Sequence, residues 1–126
     1  PKELFTYVGT QHLAIAQLMS PQSVRNLRQN PQACVSFVDV FVQRGYKIKG
    51  LMTLLTAKET DYAHYAAKLQ QMAGTAFPFH MVLVLEVAQV APIIAPSYKL
   101  YPNIPQAERI ANAMHTYGVQ PLDPQL

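Results

Sequence analysis

Ser20–Gly50 runs SPQSVRNLRQNPQACVSFVDVFVQRGYKIKG, and this stretch decides the fold. It parses into a capped helix, a strand, a tight turn and a second strand. Ser20 suits an N-cap, and Pro21 suits the first helical position, where a missing N–H costs nothing. Val24, Leu27 and Arg28 recur at helical spacing, and Pro31 ends the helix by biasing Asn30 away from the α region. The helix thus opens just after a preceding strand, with free N–H groups and the positive dipole end outward. That geometry suits an anionic group such as a phosphate. Ser20 and Ser23 are equally ordinary capping residues, and the spacing alone does not choose between the roles.

The hairpin that follows is expected to turn at Gln43-Arg44-Gly45, with Gly45 supplying the positive φ. This register pairs Val42 with Tyr46, Val40 with Ile48 and Asp39 with Lys49. One face then carries Val38, Val40, Val42, Tyr46, Ile48 and Met52 as core. The other carries Phe37, Asp39, Phe41, Lys47 and Lys49, a mixed surface that suits either solvent or an aromatic anionic ligand. Asp39 and Lys49 read as a cross-strand ion pair, contributing about 0.2–1 kcal/mol if exposed.

Outward from this core, Leu4–Gly9 and His12–Leu18 read as two strands joined at Gly9-Thr10-Gln11. Thr60-Asp61 opens a helix to Ala73, where Gly74 is a stop, and Tyr62, Tyr65 and Leu69 form its packing stripe. His80–Val90 is apolar on both faces, the mark of a strand covered on two sides. Pro92, Pro96 and Pro102 punctuate an irregular segment. A last helix starts at Pro105 and ends at Gly118, and the tail from 119 to 126 is expected to be loosely held. Strands arranged in hairpins with helices between them indicate a mainly β, α+β domain: an antiparallel barrel with flanking helices.

Composition narrows the function. The 126 residues form one domain of ordinary size; half are apolar and 13% charged. So little charge leaves a free-standing surface poorly covered, which points to an apolar subunit interface. The net charge of +3 is mild and the cations are dispersed, so nucleic acid is not an expected partner. Cys34 is the single cysteine, expected to be a buried inert thiol in a reducing, cytoplasmic setting. No apolar run reaches the roughly 18 residues of a membrane span. His12, His64, His80 and His115 lack metal-ligand spacing, and His80 reads as a hydrogen-bonded core residue. Nothing resembles a nucleophile elbow.

The serine-bearing helix start, the Asn26-Leu27 pair, Asn30-Pro31 and the strand after it, together with PKELF at the start and APSY at Ala95–Tyr98, resemble the pyridoxamine 5'-phosphate oxidase-like split-barrel family. The resemblance implies a homodimer of antiparallel split β-barrels holding FMN at the interface, and a further barrel strand before Pro1. It places Lys2 and Glu3 beside the flavin or its phosphate, and the main chain of Ala16 and Gln17 at the ring. Ser20, Gln22 and Ser23 would hold the phosphate, with Asn26 supporting that turn. Lys47 and Lys49 would lie near the ring, where a cation stabilises the anionic reduced flavin; Lys47 also reads as a solvated residue near the hairpin tip. Ala95–Tyr98 reads as a tight turn whose Tyr98 caps the barrel, with an approach of Tyr98 to the partner's flavin as the alternative.

The departures matter as well. Gln22-Ser23 stands where the oxidases proper carry Arg-Lys, and the chain has no Trp. Vitamin-forming activity is therefore not expected. The resulting expectation is an FMN-dependent oxidoreductase acting on a small-molecule substrate or electron donor. The alternatives are a non-catalytic flavin- or haem-binding protein and a ligand-free structural dimer.

Overall fold

The computed structural model describes residues 2–122. Along the chain lie β1 (Phe5–Val8), β2 (His12–Gln17), α1 (Pro21–Gln29), β3 (Gln32–Asp39), β4 (Arg44–Thr56), α2 (Tyr62–Ala73), β5 (Met81–Ile94), the short α3 (Ser97–Leu100) and α4 (Gln106–Tyr117). The strands form one sheet in the order β1-β2-β5-β4-β3. β1 pairs antiparallel with β2, and β2 antiparallel with β5, with Ala14 opposite Val84 and Ala16 opposite Val82. By packing, the chain divides into two compact units. One runs up to Val35 and over Ile48–Val90; the other covers Ser36–Lys47 and the chain from Ala91 onward.

The first unit holds the main core. Val82, Leu83, Val84 and Leu85 are buried in succession, so β5 is covered on both faces as its unbroken apolar run requires. On one face Ala14, Ala16, Val82 and Val84 pack against Ala66, Leu69 and Ala73 of α2, with Tyr62 and Tyr65 at the margin. On the other, Ile15, Leu83, Leu85 and Met52 pack against Leu27 of α1 and Val35 of β3. Burying Leu69, Leu83 and Leu85 fully stabilises the fold by about 1.5–3 kcal/mol each. α2 stops at Gly74, whose N–H donates to the Gln70 carbonyl at 3.0 Å.

The second unit is built from the 36–47 segment and the C-terminal helices. The Tyr98 hydroxyl donates to the Val42 carbonyl at 2.7 Å, and the Ala95 N–H donates to the Gln43 carbonyl at 3.2 Å. The rings of Phe41 and Tyr117 meet edge-on, 6.1 Å between centroids. α4 ends as expected at Gly118, and residues 123–126 of the tail lie outside the described residues.

Four local expectations are corrected. The β3–β4 connection does not turn on Gly45. Asp39 accepts with Oδ1 from the N–H groups of Phe41 (2.9 Å) and Val42 (3.2 Å), and its carbonyl accepts from the Gln43 N–H (2.7 Å). The positive φ falls on Gln43, at 55°. The Asp39 oxygen expected to face Lys49 is thus engaged within its own turn. Gly45 sits inside β4 beside Phe37 and Val38, and the Tyr46 ring lies 6.0 Å from that of Phe37 rather than opposite Val42. An odd slip of this kind exchanges faces, and Val38, Val40 and Tyr46 are exposed instead of forming core.

Cys34 is exposed, because the half-buried Ala33 and Val35 on either side take the inward face of β3. His80 is exposed and precedes β5 rather than lying within a buried strand. Pro92 does not break the strand, which runs on to Ile94. The pairing of β5 with β2 extends only to Glu86, so a residue without an N–H is tolerated beyond it.

Candidate functional site

β2 ends at Gln17, and α1 begins at Pro21 after three intervening residues; the short link brings the strand end and the helix start together. Ser20 occupies the N-cap position, but its side chain does not cap the helix. Its Oγ instead donates to Gln17 Oε1 at 2.6 Å, turning back toward the strand. Lys2 Nζ donates to the same Gln17 oxygen at 3.1 Å and to Ser20 Oγ. Gln17 is 5% exposed, so one buried amide oxygen is the acceptor that gathers both groups. Burial pushes the Lys2 ammonium below the usual lysine range, and its side-chain partners here are neutral.

The start of α1 is left with unpaired donors. Pro21 has no N–H, and no side-chain oxygen reaches the amides of the first turn. A helix end with open amides, a hydroxyl beside it and an ammonium at that hydroxyl has the chemistry of an oxyanion receptor. Around the first turn, Gln22 Nε2 donates to Asn26 Oδ1 at 2.7 Å, and Arg25 donates to Gln22 Oε1 at 2.6 Å. These links fix Gln22 and Asn26 on the exposed side of α1, while Ser23 is half-buried.

The other expected residues are placed as follows. Glu3 is exposed. Ala16 is buried, and its N–H donates to the Leu4 carbonyl at 2.9 Å, so that amide is already paired. Lys49 lies on the wall of a hollow of about 460 Å³ in the first unit, together with Cys34, Gly50, Leu51 and Gln89. That volume lies within the range of about 300–1,000 Å³ typical of small-molecule sites. Lys47 is exposed and belongs to the second unit. Among the described residues, no group of three His, Cys, Asp or Glu side chains is placed to hold a metal ion. Among the described residues, no helix is long and apolar enough to cross a membrane.

Two features were not anticipated. Gln17 was expected to act through its main chain, whereas its side chain organises the corner. Tyr98 lies in cation–π range of two guanidinium groups, Arg109 at 4.0 Å and Arg44 at 5.2 Å from the ring centroid. Nothing in the spacing of Arg44, Tyr98 and Arg109 signals that contact, since it joins segments far apart in the chain.

With this geometry in place, known proteins can be compared. No family model matches the chain, and neither does any curated protein sequence. Solved structures do match, and they share this fold, an antiparallel split barrel with flanking helices. HupZ of Group A Streptococcus superposes with a TM-score of 0.59 at 18% identity, over 71% of this chain and 69% of that one. A Lactobacillus delbrueckii protein provisionally named a pyridoxamine 5'-phosphate oxidase gives 0.56 at 20% identity, over 72% and 69%. An FMN-binding protein of Syntrophomonas wolfei gives 0.56 at 15% identity, over 75% and 66%. At these identities the likeness establishes the fold.

Proposed function

We propose that this protein binds FMN as a homodimer and acts as a flavin-dependent oxidoreductase on a small-molecule substrate or electron donor. The observation that carries the reading is the uncapped start of α1, where Ser20 and Lys2 are held at the Gln17 oxygen instead of closing the helix end. A terminal phosphate there accepts from the open amides, and from the Ser20 hydroxyl once that O–H turns away from Gln17, while Lys2 neutralises part of its charge. Ser23 and Gln22 extend the donor set, and Asn26 holds Gln22 in place. The hollow beside Lys49 suits the ring system, and a cation there favours the reduced, anionic flavin. When bound, FMN supplies the hydride or electron transfer; this chain's residues bind, orient and tune it.

The homodimer rests on the exposed apolar side chains, among them Phe5, Tyr7 and Leu51 in the first unit and Phe37, Val38 and Val40 in the second. With 13% of its residues charged, the chain has little polar surface to cover them, and a second copy would bury them. The class of known structures adds one FMN-binding protein with the same fold.

The test is a titration of purified protein with FMN, followed by absorbance and thermal unfolding. Paired near-ultraviolet and blue bands are expected, together with a stabilisation of about 2.7 kcal/mol at a hundredfold excess over Kd. S20A/S23A should weaken binding by about 2–4 kcal/mol, from lost hydrogen bonds to a charged group. A Soret band would instead indicate a haem protein. The absence of any thermal shift with millimolar FMN would remove the proposal. Bleaching of the bound flavin by NADH or NADPH at a catalytic rate distinguishes an enzyme from a storage or sensing protein.

A further inference from the structure

A second hollow, of about 230 Å³, lies wholly within the second unit, between the 41–43 segment and α4. Its apolar walls are Phe41 and Tyr117, and its polar side carries Ser97, Asn112, Thr116 and Arg109. Arg109 is the chemically decisive member. Its Nε donates to the Ile104 carbonyl at 3.3 Å, Nη1 to Ser97 Oγ at 3.0 Å, and Nη2 to the carbonyls of Tyr101 at 2.6 Å and Ser97 at 3.4 Å. A guanidinium has five N–H donors, so one N–H on Nη1 is left over.

Every one of these acceptors is a neutral oxygen, so the guanidinium is fixed in place but its charge is not neutralised by them. Glu108 is the adjacent residue on α4, and neighbouring positions on a helix do not face each other. Arg44 brings a second positive charge to the same Tyr98 ring. The ring's negative face attracts both guanidinium groups but carries no formal charge to neutralise them.

We infer that this hollow is a binding site for a small monocarboxylate with a flat apolar body. Its carboxylate accepts from the remaining Arg109 N–H and from the Ser97 or Asn112 side chain, and its body lies against Phe41 and Tyr117. The hollow, of about 230 Å³, has room for one substituted ring. Its lining shares no residue with the α1 corner or with the hollow beside Lys49.

The test uses the full chain and benzoate as the probe, read by amide chemical shifts, with benzamide as the neutral control of the same shape. Saturable shifts are expected at Phe41, Asn112 and Tyr117, with benzamide binding at least about tenfold more weakly. Arg44→Gln leaves the lining intact and should weaken benzoate several-fold without affecting benzamide. Asn112→Trp should occlude the hollow and abolish both, with the far-ultraviolet spectrum unchanged. Arg109→Ala is the less decisive variant, because Arg109 also ties α3 to α4. Equal binding of benzoate and benzamide, or no saturable shift with tens of millimolar benzoate, overturns the inference.

Discussion

The two hairpins of this chain solve the same problem in opposite ways. Between β1 and β2 the turn falls at Gly9-Thr10-Gln11 as expected, with Gly9 at φ 61° in open space and Val8 opposite His12. Between β3 and β4 the glycine is not in the turn at all. Asp39 builds that turn with its side chain, Gln43 takes the left-handed position, and Gly45 is needed within the strand because a Cβ there would lie 1.8 Å from the Phe37 carbonyl oxygen. The lesson is that a glycine near a hairpin tip has two possible reasons to be there, torsional freedom or close approach, and only the neighbouring strand distinguishes them.

Four experiments bear on that contrast. The largest effect belongs to Gly45→Ala, which forces a methyl into backbone and should cost about 3–5 kcal/mol in urea unfolding. A loss no greater than that of Gly9→Ala would break the comparison. Asp39→Ala comes next: it removes the acceptor of the Phe41 and Val42 amides in an exposed turn, for a loss of about 1–2 kcal/mol. Asp39→Asn should recover most of it, since the amide oxygen can still accept. Gly9→Ala has only the torsional penalty, about 1 kcal/mol, and no contact to relieve.

The smallest effect is a pH dependence in the turn after β4, which belongs to neither hairpin. There Glu59 Oε2 accepts from the Thr56 hydroxyl at 2.7 Å and the Thr56 N–H at 2.5 Å. The hydroxyl bond, and then the amide bond, hold its carboxyl below the usual range. A carboxylate depressed on folding contributes stability above its unfolded pKa and loses it as pH falls through the folded value. Glu59→Gln should therefore lower neutral stability slightly, leave stability at low pH nearly unchanged and so flatten the acid limb; a mutant with an identical acid limb would show that the bond contributes nothing.

Legibility followed range. The helix stops at Gly74 and Gly118, the packing stripe of Tyr62, Tyr65 and Leu69, and the doubly covered run Val82–Leu85 could all be read from neighbouring residues. So could the placement of Ser20 at the head of α1 with Gln17 close by. The direction of the Ser20 hydroxyl could not, because it answers to a buried amide oxygen and to an ammonium eighteen residues upstream. Asp39 was legible in part: an aspartate before a turn is an Asx signal, overshadowed here by the more familiar glycine.

The amino-acid order by itself determined the elements, their sequence and the apolar run that must lie at the centre of the sheet, because period and punctuation act over a few residues. Tertiary structure alone decided the β3–β4 register, the exposure of Cys34, the acceptor role of Gln17 and the tie from Arg109 to Tyr98. From Phe37 to Val42 the chain is apolar at nearly every position on both faces. Such a pattern satisfies either parity, so the choice fell to Asp39's bonds and to the space available beside Gly45.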